Sequence, residues 1–228
     1  MSKYELIKFD LIKVSFLATS ALIFLFSMDI LEKLLLKIFN IKGSVWVNLF
    51  DEKIFFWVIN NNSRLLNVLM LTVTYVGSTI SWFIAGILLW FLRKRKEAFL
   101  LVFALLIGGV LTFFMKIAFH RIRPFQIIIE TKVLEREEGF SFPSGHSVSS
   151  FSSAIILERK IKKIYLSFFI YALAFLIGYS RVYIGVHWPL DVVFGGIIGL
   201  TIGFITLKFE EKILSFFIKS EKAIDKTT

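Results

Sequence analysis

Three groups of polar residues interrupt a largely apolar sequence, and they combine cations, imidazoles, a carboxylate and small residues. In chain order the groups are Lys116 with Arg123 and Pro124, then Pro143, Ser144, Gly145 and His146, then Ser180, Arg181, His187 and Asp191. Ionisable residues in or beside apolar membrane segments are energetically costly, and they mark functional sites by default. The chemistry that these residue types support best is phosphoryl transfer.

One set of these side chains is suited to binding a phosphate. Lys116, Arg123 and Arg181 supply three positive charges, and the planar guanidinium fork matches phosphate oxygens while the ammonium adds a compact charge. Ser144 suits a helix N-cap, and Gly145 lets a ligand approach the backbone closely. Free N–H groups at a helix start attract anions, so we expect these five residues to hold phosphate oxygens and stabilise the transition state.

The two histidines could divide the remaining chemistry. His187 and Asp191 are four residues apart, and Pro189 between them favours the first turn of a helix. The carboxylate would accept the proton of one ring nitrogen and leave the other nitrogen as a nucleophile. His146, at the start of another helix, is placed to act as a general acid on the leaving oxygen. No cofactor or metal is expected, because the three cations replace one and no Asp-rich Mg²⁺ cluster is present.

The elements that must position these residues are membrane helices. The chain has 228 residues, of which 57% are hydrophobic and 19% charged, and its mean hydropathy is +0.76. A soluble domain is only about 45–50% apolar, so we predict an all-α integral membrane protein: a single domain, 1–228, forming a bundle of six spans. Interfacial helices at 30–39 and 54–59 are expected between the first two spans. The spans are predicted at about 11–30, 65–92, 97–117, 144–158, 163–180 and 188–207.

Loop charge predicts the orientation of the bundle. Basic residues crowd the connections at 93–96 and 159–163, and the positive-inside rule places such short loops in the cytoplasm. Both termini are then cytoplasmic, and all three polar groups fall at the outer ends of their helices. We therefore expect a multi-pass protein of the cell (inner) membrane whose site faces the periplasm or the exterior.

The three groups resemble the signature of the type 2 phosphatidic acid phosphatase superfamily, namely K-x6-R-P, P-S-G-H and S-R-x5-H-x3-D. Every fixed position is matched, in order, between residues 116 and 191. The resemblance implies that Lys116, Arg123, Ser144, Gly145 and Arg181 bind phosphate. It also implies that His187 forms a phosphohistidine, that Asp191 orients His187, and that His146 acts first as an acid and then as a base. The implied substrates are lipid phosphates or diphosphates, with no metal cofactor.

Several alternatives remain open at this stage. An isoprenyl diphosphate or a glycerophospholipid phosphate (phosphatidylglycerol phosphate or phosphatidic acid) is favoured as substrate, with lipid A phosphate as the alternative. An alternative of another class is a non-catalytic membrane protein that binds lipid headgroups or translocates lipids. The net charge of +10 would suit nucleic acid, but it is concentrated between apolar runs, so no nucleic-acid partner is expected. The charged segment 130–138 is interpreted as a solvated loop above the site or, alternatively, as a headgroup lid.

Overall fold

The computed structural model of the chain describes residues 47–128, 133–159 and 163–215, together with isolated positions between 19 and 43. The first predicted span, 11–30, and the predicted interfacial helix 30–39 lie largely outside the described residues. The described part is all-helical, as predicted. Its helices are α1 (Leu49–Asn60), α2 (Arg64–Val76), α3 (Thr79–Phe91), α4 (Arg95–Phe119), α5 (Pro124–Ile127), α6 (Gly145–Glu158), α7 (Ile164–Tyr183) and α8 (Pro189–Lys208).

Three of these helices, α4, α7 and α8, are long and apolar enough to cross a membrane, and α2 with α3 could provide a fourth crossing as a bent pair. A membrane helical bundle is therefore supported, but six spans are not confirmed within the described residues. The helix over the predicted fourth span, α6, has 14 residues, which is about 21 Å at about 1.5 Å per residue. This length is short for the hydrocarbon core of a bilayer, which is about 30 Å thick.

The apolar run predicted as one span over 65–92 is divided at Gly77 into α2 and α3, whose axes differ by 54°. The Ser78 side chain caps α3 by accepting a hydrogen bond from the Ser81 N–H at 3.2 Å. The Ser81 hydroxyl in turn donates to the carbonyl of Tyr75 at 2.9 Å. A Cβ at Gly77 would lie 2.3 Å from the Ile177 side chain, so glycine allows α7 to pack against the bend. The run is thus a broken span or a re-entrant pair.

Helix α6 occupies the centre of the described bundle, in contact with α3, α4, α7 and α8. Its serines are buried, which suits a helix whose small side chains permit close packing. The Ser150 hydroxyl accepts a hydrogen bond from the Trp82 indole at 3.2 Å. These contacts fix the position of the N-terminus of α6 relative to the neighbouring helices.

A glycine face on α8 lets its backbone approach that of α6. If any of three glycines on this face carried a Cβ, that atom would lie 2.5–3.0 Å from a backbone carbonyl oxygen at the start of α6 or within it. Such a distance is too short for normal packing, so the backbone would have to move. The pairs are Gly195 with Ser144, Gly199 with Val148, and Gly203 with Ser152. The close approach aligns the first turns of α6 and α8 at one end of the bundle.

Helix α1 packs against the turn between α7 and α8. Its buried residues, Asp51, Phe55 and Val58, fall at the i, i+4 and i+7 positions of a single face. The Phe55 ring lies 5.1 Å from the Trp188 ring, centroid to centroid. The segment 54–59, predicted as an interfacial helix, is therefore the second half of α1, and a buried aspartate on the same helix faces the α7–α8 turn.

Candidate active site

The predicted phosphate-binding residues stand where helices begin or end. Lys116 is in the last turn of α4, Arg123 precedes α5, and Arg181 is in the last turn of α7. Ser144 caps α6, its hydroxyl accepting the Ser147 N–H at 3.4 Å. The Ser144 N–H donates to the carbonyl of Asp191 in the first turn of α8 at 3.0 Å. The two helix starts are therefore joined directly by backbone contact.

His187 and Asp191 form the expected pair in the turn that leads into α8. Nδ1 of His187 lies 3.4 Å from Oδ2 of Asp191, and the same oxygen accepts the Trp188 N–H at 2.9 Å. Both side chains are buried. With Nδ1 directed at the carboxylate, Nε2 of His187 faces the guanidinium of Arg123, whose Nη1 lies 3.4 Å away.

Burial lowers the pKa of His187 to about 4, and the charges of Arg123 and Arg181 act in the same direction. The hydrogen bond and negative charge of Asp191 oppose this effect, so they raise the pKa without restoring it. His187 is consequently a neutral imidazole near neutral pH. A neutral ring whose Nδ1 proton is held by a carboxylate has its Nε2 lone pair available for attack.

The two arginines present guanidinium groups to the same space. Arg123 is fixed from behind, because its Nε donates to the carbonyl of Gly139 at 3.1 Å and its Nη1 donates to the carbonyl of Val186 at 3.0 Å. Arg181 is fully buried. Among the residues that the structure describes, no acceptor lies within hydrogen-bonding distance of its Nε and Nη1 atoms, although Oε2 of Glu135 lies 3.9 Å from Nη1. Buried donors in this condition favour an anion beside them.

An anion from the protein itself occupies this space. The carboxylate of Glu137 contacts Arg181 through Oε1, and its Oε2 lies 2.9 Å from Nη1 of Arg123 and 4.0 Å from Nε2 of His187. Burial alone would raise the pKa of Glu137. The guanidinium groups of Arg181 and Arg123 outweigh this effect and hold the pKa of Glu137 far below its usual range. A negative charge is thus held between two arginines and beside the candidate nucleophile.

His146 lies in the first turn of α6 and belongs to the same cluster. It interacts electrostatically with Arg181, Glu137, His187 and Lys116. Glu137 in turn has both histidines among its electrostatic neighbours. Glu137 is therefore within electrostatic range of both imidazoles, and an acid and a nucleophile that act on one phosphate must both lie near that phosphate.

Gly145 has room for a side chain as far as the protein is concerned. A Cβ added there would meet only Cγ2 of Thr112, at an ordinary contact distance of 3.7 Å. Packing therefore does not dictate glycine at this position. Glycine here would suit a ligand that approaches the start of α6 closely.

The structure thus brings all eight predicted site residues to one end of the bundle, while their roles stay predictions. Sequence reasoning did not anticipate three others that take part in the site. The sequence predicts that Glu137 lies in a solvated loop or a headgroup lid, but its carboxylate contacts the two arginines and only 28% of its side chain is exposed. The other two, Asp51 and Arg121, are fully buried. The Arg121 guanidinium contacts the carboxylates of both Asp51 and Asp191.

A sequence signal existed for two of these residues. Asp51 shares a helical face with Phe55 and Val58, which indicates a buried carboxylate that needs a partner. Arg121 stands only two residues before Arg123, within the first polar group. Nothing in the spacing of the acidic residues between 130 and 138 distinguishes Glu137 from its neighbours.

Comparison with known proteins gives consistent matches. The family model of the PAP2 superfamily matches residues 97–214. An undecaprenyl-diphosphatase of Sulfolobus acidocaldarius is 34% identical over 71% of this chain and 79% of its own length. The crystal structure of Aquifex aeolicus LpxE superposes with a TM-score of 0.66 at 34% identity, covering 71% of this chain and 96% of that one. The crystal structure of a PAP2 type phosphatidylglycerolphosphate phosphatase from Bacillus subtilis superposes with a TM-score of 0.63 at 25% identity. The match covers 86% of this chain and 96% of that one.

Proposed function

The chain belongs to the PAP2 superfamily, and from this premise we propose that it is a membrane phosphatase that removes phosphate from a lipid through a phosphohistidine at His187. The match over residues 97–214 confirms the resemblance that the three motifs indicated. One observation carries the proposal. The Glu137 carboxylate, held by Arg123 and Arg181, lies 4.0 Å from Nε2 of His187, so the site already holds an anion beside its nucleophile.

In the first step the substrate phosphate displaces the Glu137 carboxylate and takes its place on Arg123 and Arg181. Nε2 of His187 attacks phosphorus, forming a P–N bond while the bond to the leaving oxygen breaks. His146 gives a proton to that oxygen, which belongs to a lipid alcohol or, for a diphosphate, to the remaining lipid monophosphate. The Asp191 carboxylate accepts a hydrogen bond from Nδ1–H of His187, which keeps its proton, and stabilises the positive charge that develops on the ring.

In the second step a water molecule attacks the phosphohistidine. His146, now neutral, takes a proton from the water, and the P–N bond breaks to restore His187. The products are inorganic phosphate and the dephosphorylated lipid, so each turnover consumes one water molecule. Lys116 and the free N–H groups at the start of α6 add positive charge around the equatorial oxygens in both steps.

The positive side chains supply the charge stabilisation that a divalent cation provides in other phosphatases, and activity is proposed to be metal-independent. Phosphate release should continue in excess chelator. Vanadate, which adopts the trigonal-bipyramidal geometry of the transition state, should inhibit it. Loss of activity in chelator with recovery on adding one divalent cation would contradict this part of the proposal.

The proposed substrate is an isoprenyl diphosphate or a glycerophospholipid phosphate, with lipid A phosphate as the alternative. The favoured classes have their support in relatives named as an undecaprenyl-diphosphatase and a phosphatidylglycerolphosphate phosphatase, and the alternative has its support in relatives named as lipid A 4'-phosphatases. Phosphate release by the purified protein from these three kinds of lipid, in one detergent and at equal surface concentration, separates them. Headgroup binding without any phosphate release would instead favour the non-catalytic alternative.

We further propose six spans, with the site on the outer face of the cell membrane and both termini in the cytoplasm. The basic loop 93–96 supports this orientation through the positive-inside rule. The sequence contains no cysteine, so a single cysteine can be introduced cleanly. A membrane-impermeant thiol reagent applied to intact cells should label a cysteine at position 136 and leave one at position 94 unlabelled. The reverse pattern would overturn the orientation.

A further inference from the structure

A buried chain of charges lies behind the catalytic pair. Arg121 is fully buried at the side-chain level, and so are the two carboxylates that its guanidinium contacts, Asp51 of α1 and Asp191 of α8. Asp51 lies outside the segment, 97–214, that the family model matches. Asp191 takes part in the proposed phosphoryl transfer, whereas Arg121 and Asp51 have no role in it.

The contacts divide the two oxygens of Asp191 between different partners. Oδ1 accepts a hydrogen bond from Nη1 of Arg121, while Oδ2 accepts the Trp188 N–H at 2.9 Å and faces Nδ1 of His187 at 3.4 Å. Anchoring Oδ1 prevents the carboxylate from rotating. The oxygen that faces the imidazole is thereby held in place.

Asp51 fixes the same unit from the other side. Its Oδ2 contacts Nη2 of Arg121, and its Oδ1 accepts the N–H of Leu190, in the first turn of α8, at 2.9 Å. The Trp188 ring lies over the Arg121 guanidinium, 5.6 Å from centroid to Cζ. Its Nε1 donates to the carbonyl of Ile122 at 2.9 Å. Arg121 is therefore enclosed by the residues that lead into α8.

Arginine suits this position better than lysine would. A planar guanidinium can donate to two carboxylates in different directions, whereas a lysine ammonium is a point charge on a flexible stem. The guanidinium also offsets the repulsion between two buried carboxylates, which would otherwise carry a large desolvation cost. The arrangement needs both the charge and the shape of arginine.

We propose that Arg121 and Asp51 are positioning residues that set the orientation of Asp191 and, through it, the reactivity of His187. This inference rests on the proposed function, since it assigns the network to the phosphohistidine step. Neither residue is placed among the groups that contact the phosphate. Their loss should therefore lower kcat and leave KM nearly unchanged.

The two residues should also move the pH profile in opposite directions. The charged and ionisable groups around His187 are Arg123, Arg181, Glu137, His146 and Asp191, with Arg121 behind Asp191 and Asp51 beyond it. Removing the cation in Arg121→Gln makes the field at His187 more negative, so the imidazole keeps its proton to higher pH. Removing the anion in Asp51→Asn makes the field at His187 more positive, so the imidazole loses its proton at lower pH.

The experiment compares wild type, Arg121→Gln, Arg121→Lys, Asp51→Asn and the double variant Asp51→Asn/Arg121→Gln. Arg121→Gln should lower kcat about 100-fold, the cost of a small misplacement of a catalytic group, with KM within about twofold of wild type. The acid limb of kcat/KM should move to higher pH in Arg121→Gln and to lower pH in Asp51→Asn. Arg121→Lys should restore only part of kcat, because lysine keeps the charge but not the fork.

Arg159→Gln is the matched control, since it breaks an arginine–carboxylate pair with Glu210 at the opposite end of α6 and α8. It should leave kcat, KM and the pH profile as in wild type. If Arg121→Gln does not fold, as judged by size-exclusion chromatography, the double variant avoids an unpaired buried carboxylate at Asp51 and takes its place. A wild-type kcat in Arg121→Gln or in the double variant would overturn the proposal. Acid limbs that move in the same direction in Arg121→Gln and Asp51→Asn would also overturn it.

The wild-type and His187→Ala proteins are measured alongside these variants. Phosphate release that disappears in His187→Ala supports the proposed function independently of the network. Under that outcome, a negative result with Arg121 and Asp51 counts against the positioning role alone. Absence of phosphate release from the wild type would count against the proposed function itself.

Discussion

The carboxylate of Glu137 lies 4.0 Å from Nε2 of His187. The same carboxylate lies on Arg123 and Arg181, which are the two arginines predicted to bind the substrate phosphate. In the proposed mechanism, a loop residue therefore occupies the position that the substrate phosphate takes. The proposal predicts that Glu137 competes with phosphate, and this has a measurable consequence.

Replacing Glu137 with glutamine removes the competing charge while keeping the size of the side chain. Inhibition by inorganic phosphate should become about tenfold tighter, and KM for the lipid should fall in parallel, which corresponds to roughly 1.4 kcal/mol. Inhibition constants for phosphate and steady-state kinetics measure both effects. Glu138→Gln is the matched control, because it makes the same charge change on the adjacent, exposed residue. A large loss of kcat in Glu137→Gln with unchanged phosphate affinity would contradict displacement.

Gly145→Ala separates the needs of the ligand from the needs of the fold. The added Cβ meets only Thr112 at 3.7 Å, so thermal stability in detergent should stay within about 1 °C of wild type, as expected for a change near 0.2 kcal/mol or less. Phosphate binding should weaken, because the methyl group lies at the start of α6 where the anion is proposed to bind. Unchanged KM and unchanged vanadate inhibition would show that no ligand approaches this backbone.

Gly199→Ala tests the packing that aligns α6 with α8. The new Cβ would lie 2.5 Å from the carbonyl oxygen of Val148, so one helix has to move. Overpacking of this kind costs about 1–3 kcal/mol, and the melting temperature should fall by several degrees. Thermal unfolding of Gly145→Ala and Gly199→Ala under the same conditions gives the comparison. Equal melting temperatures would contradict the proposed close approach.

The low pKa of His187, about 4, predicts the acid side of the pH profile. His187 has to be neutral to attack, and its neutral fraction falls only as pH drops through its own pKa. The value of kcat/KM should therefore be maintained from pH 7 down to about pH 5 and fall near pH 4. An ordinary histidine would already lose half of it near pH 6.5. Profiles of kcat/KM, with activity re-measured after return to pH 7, test this, and an acid limb at or above pH 6.5 would contradict it.

Much of the site was predictable from the sequence because its residues lie in three short groups with fixed spacing. The four-residue separation of His187 and Asp191 across the start of a helix predicts their contact. Hydropathy and loop charge together predict that all three polar groups lie at the outer ends of their helices. Local spacing and span counting were sufficient for these residues.

The remaining features depend on contacts between distant parts of the chain. Hydropathy gives the apolar length of 65–92 but not the 54° bend at Gly77, which depends on capping by Ser78 and on space beside α7. Asp51 and Arg121 are 70 residues apart, so no local pattern joins them. Glu137 is one acidic residue among several, and only the folded loop places it on Arg181.

The formation of a phosphohistidine at His187 is the central claim, and covalent trapping tests it most directly. Purified protein is mixed with a lipid phosphate or diphosphate carrying radioactive phosphorus, quenched in alkali, where N-phosphohistidine survives, and separated from lipid. His120→Asn is the matched control, since it replaces another of the three histidines at a left-handed position, φ 49°, which asparagine tolerates. Wild type and His120→Asn should carry transient, acid-labile label and release phosphate, whereas His187→Ala should do neither. Phosphate release by His187→Ala at the wild-type rate would contradict the account.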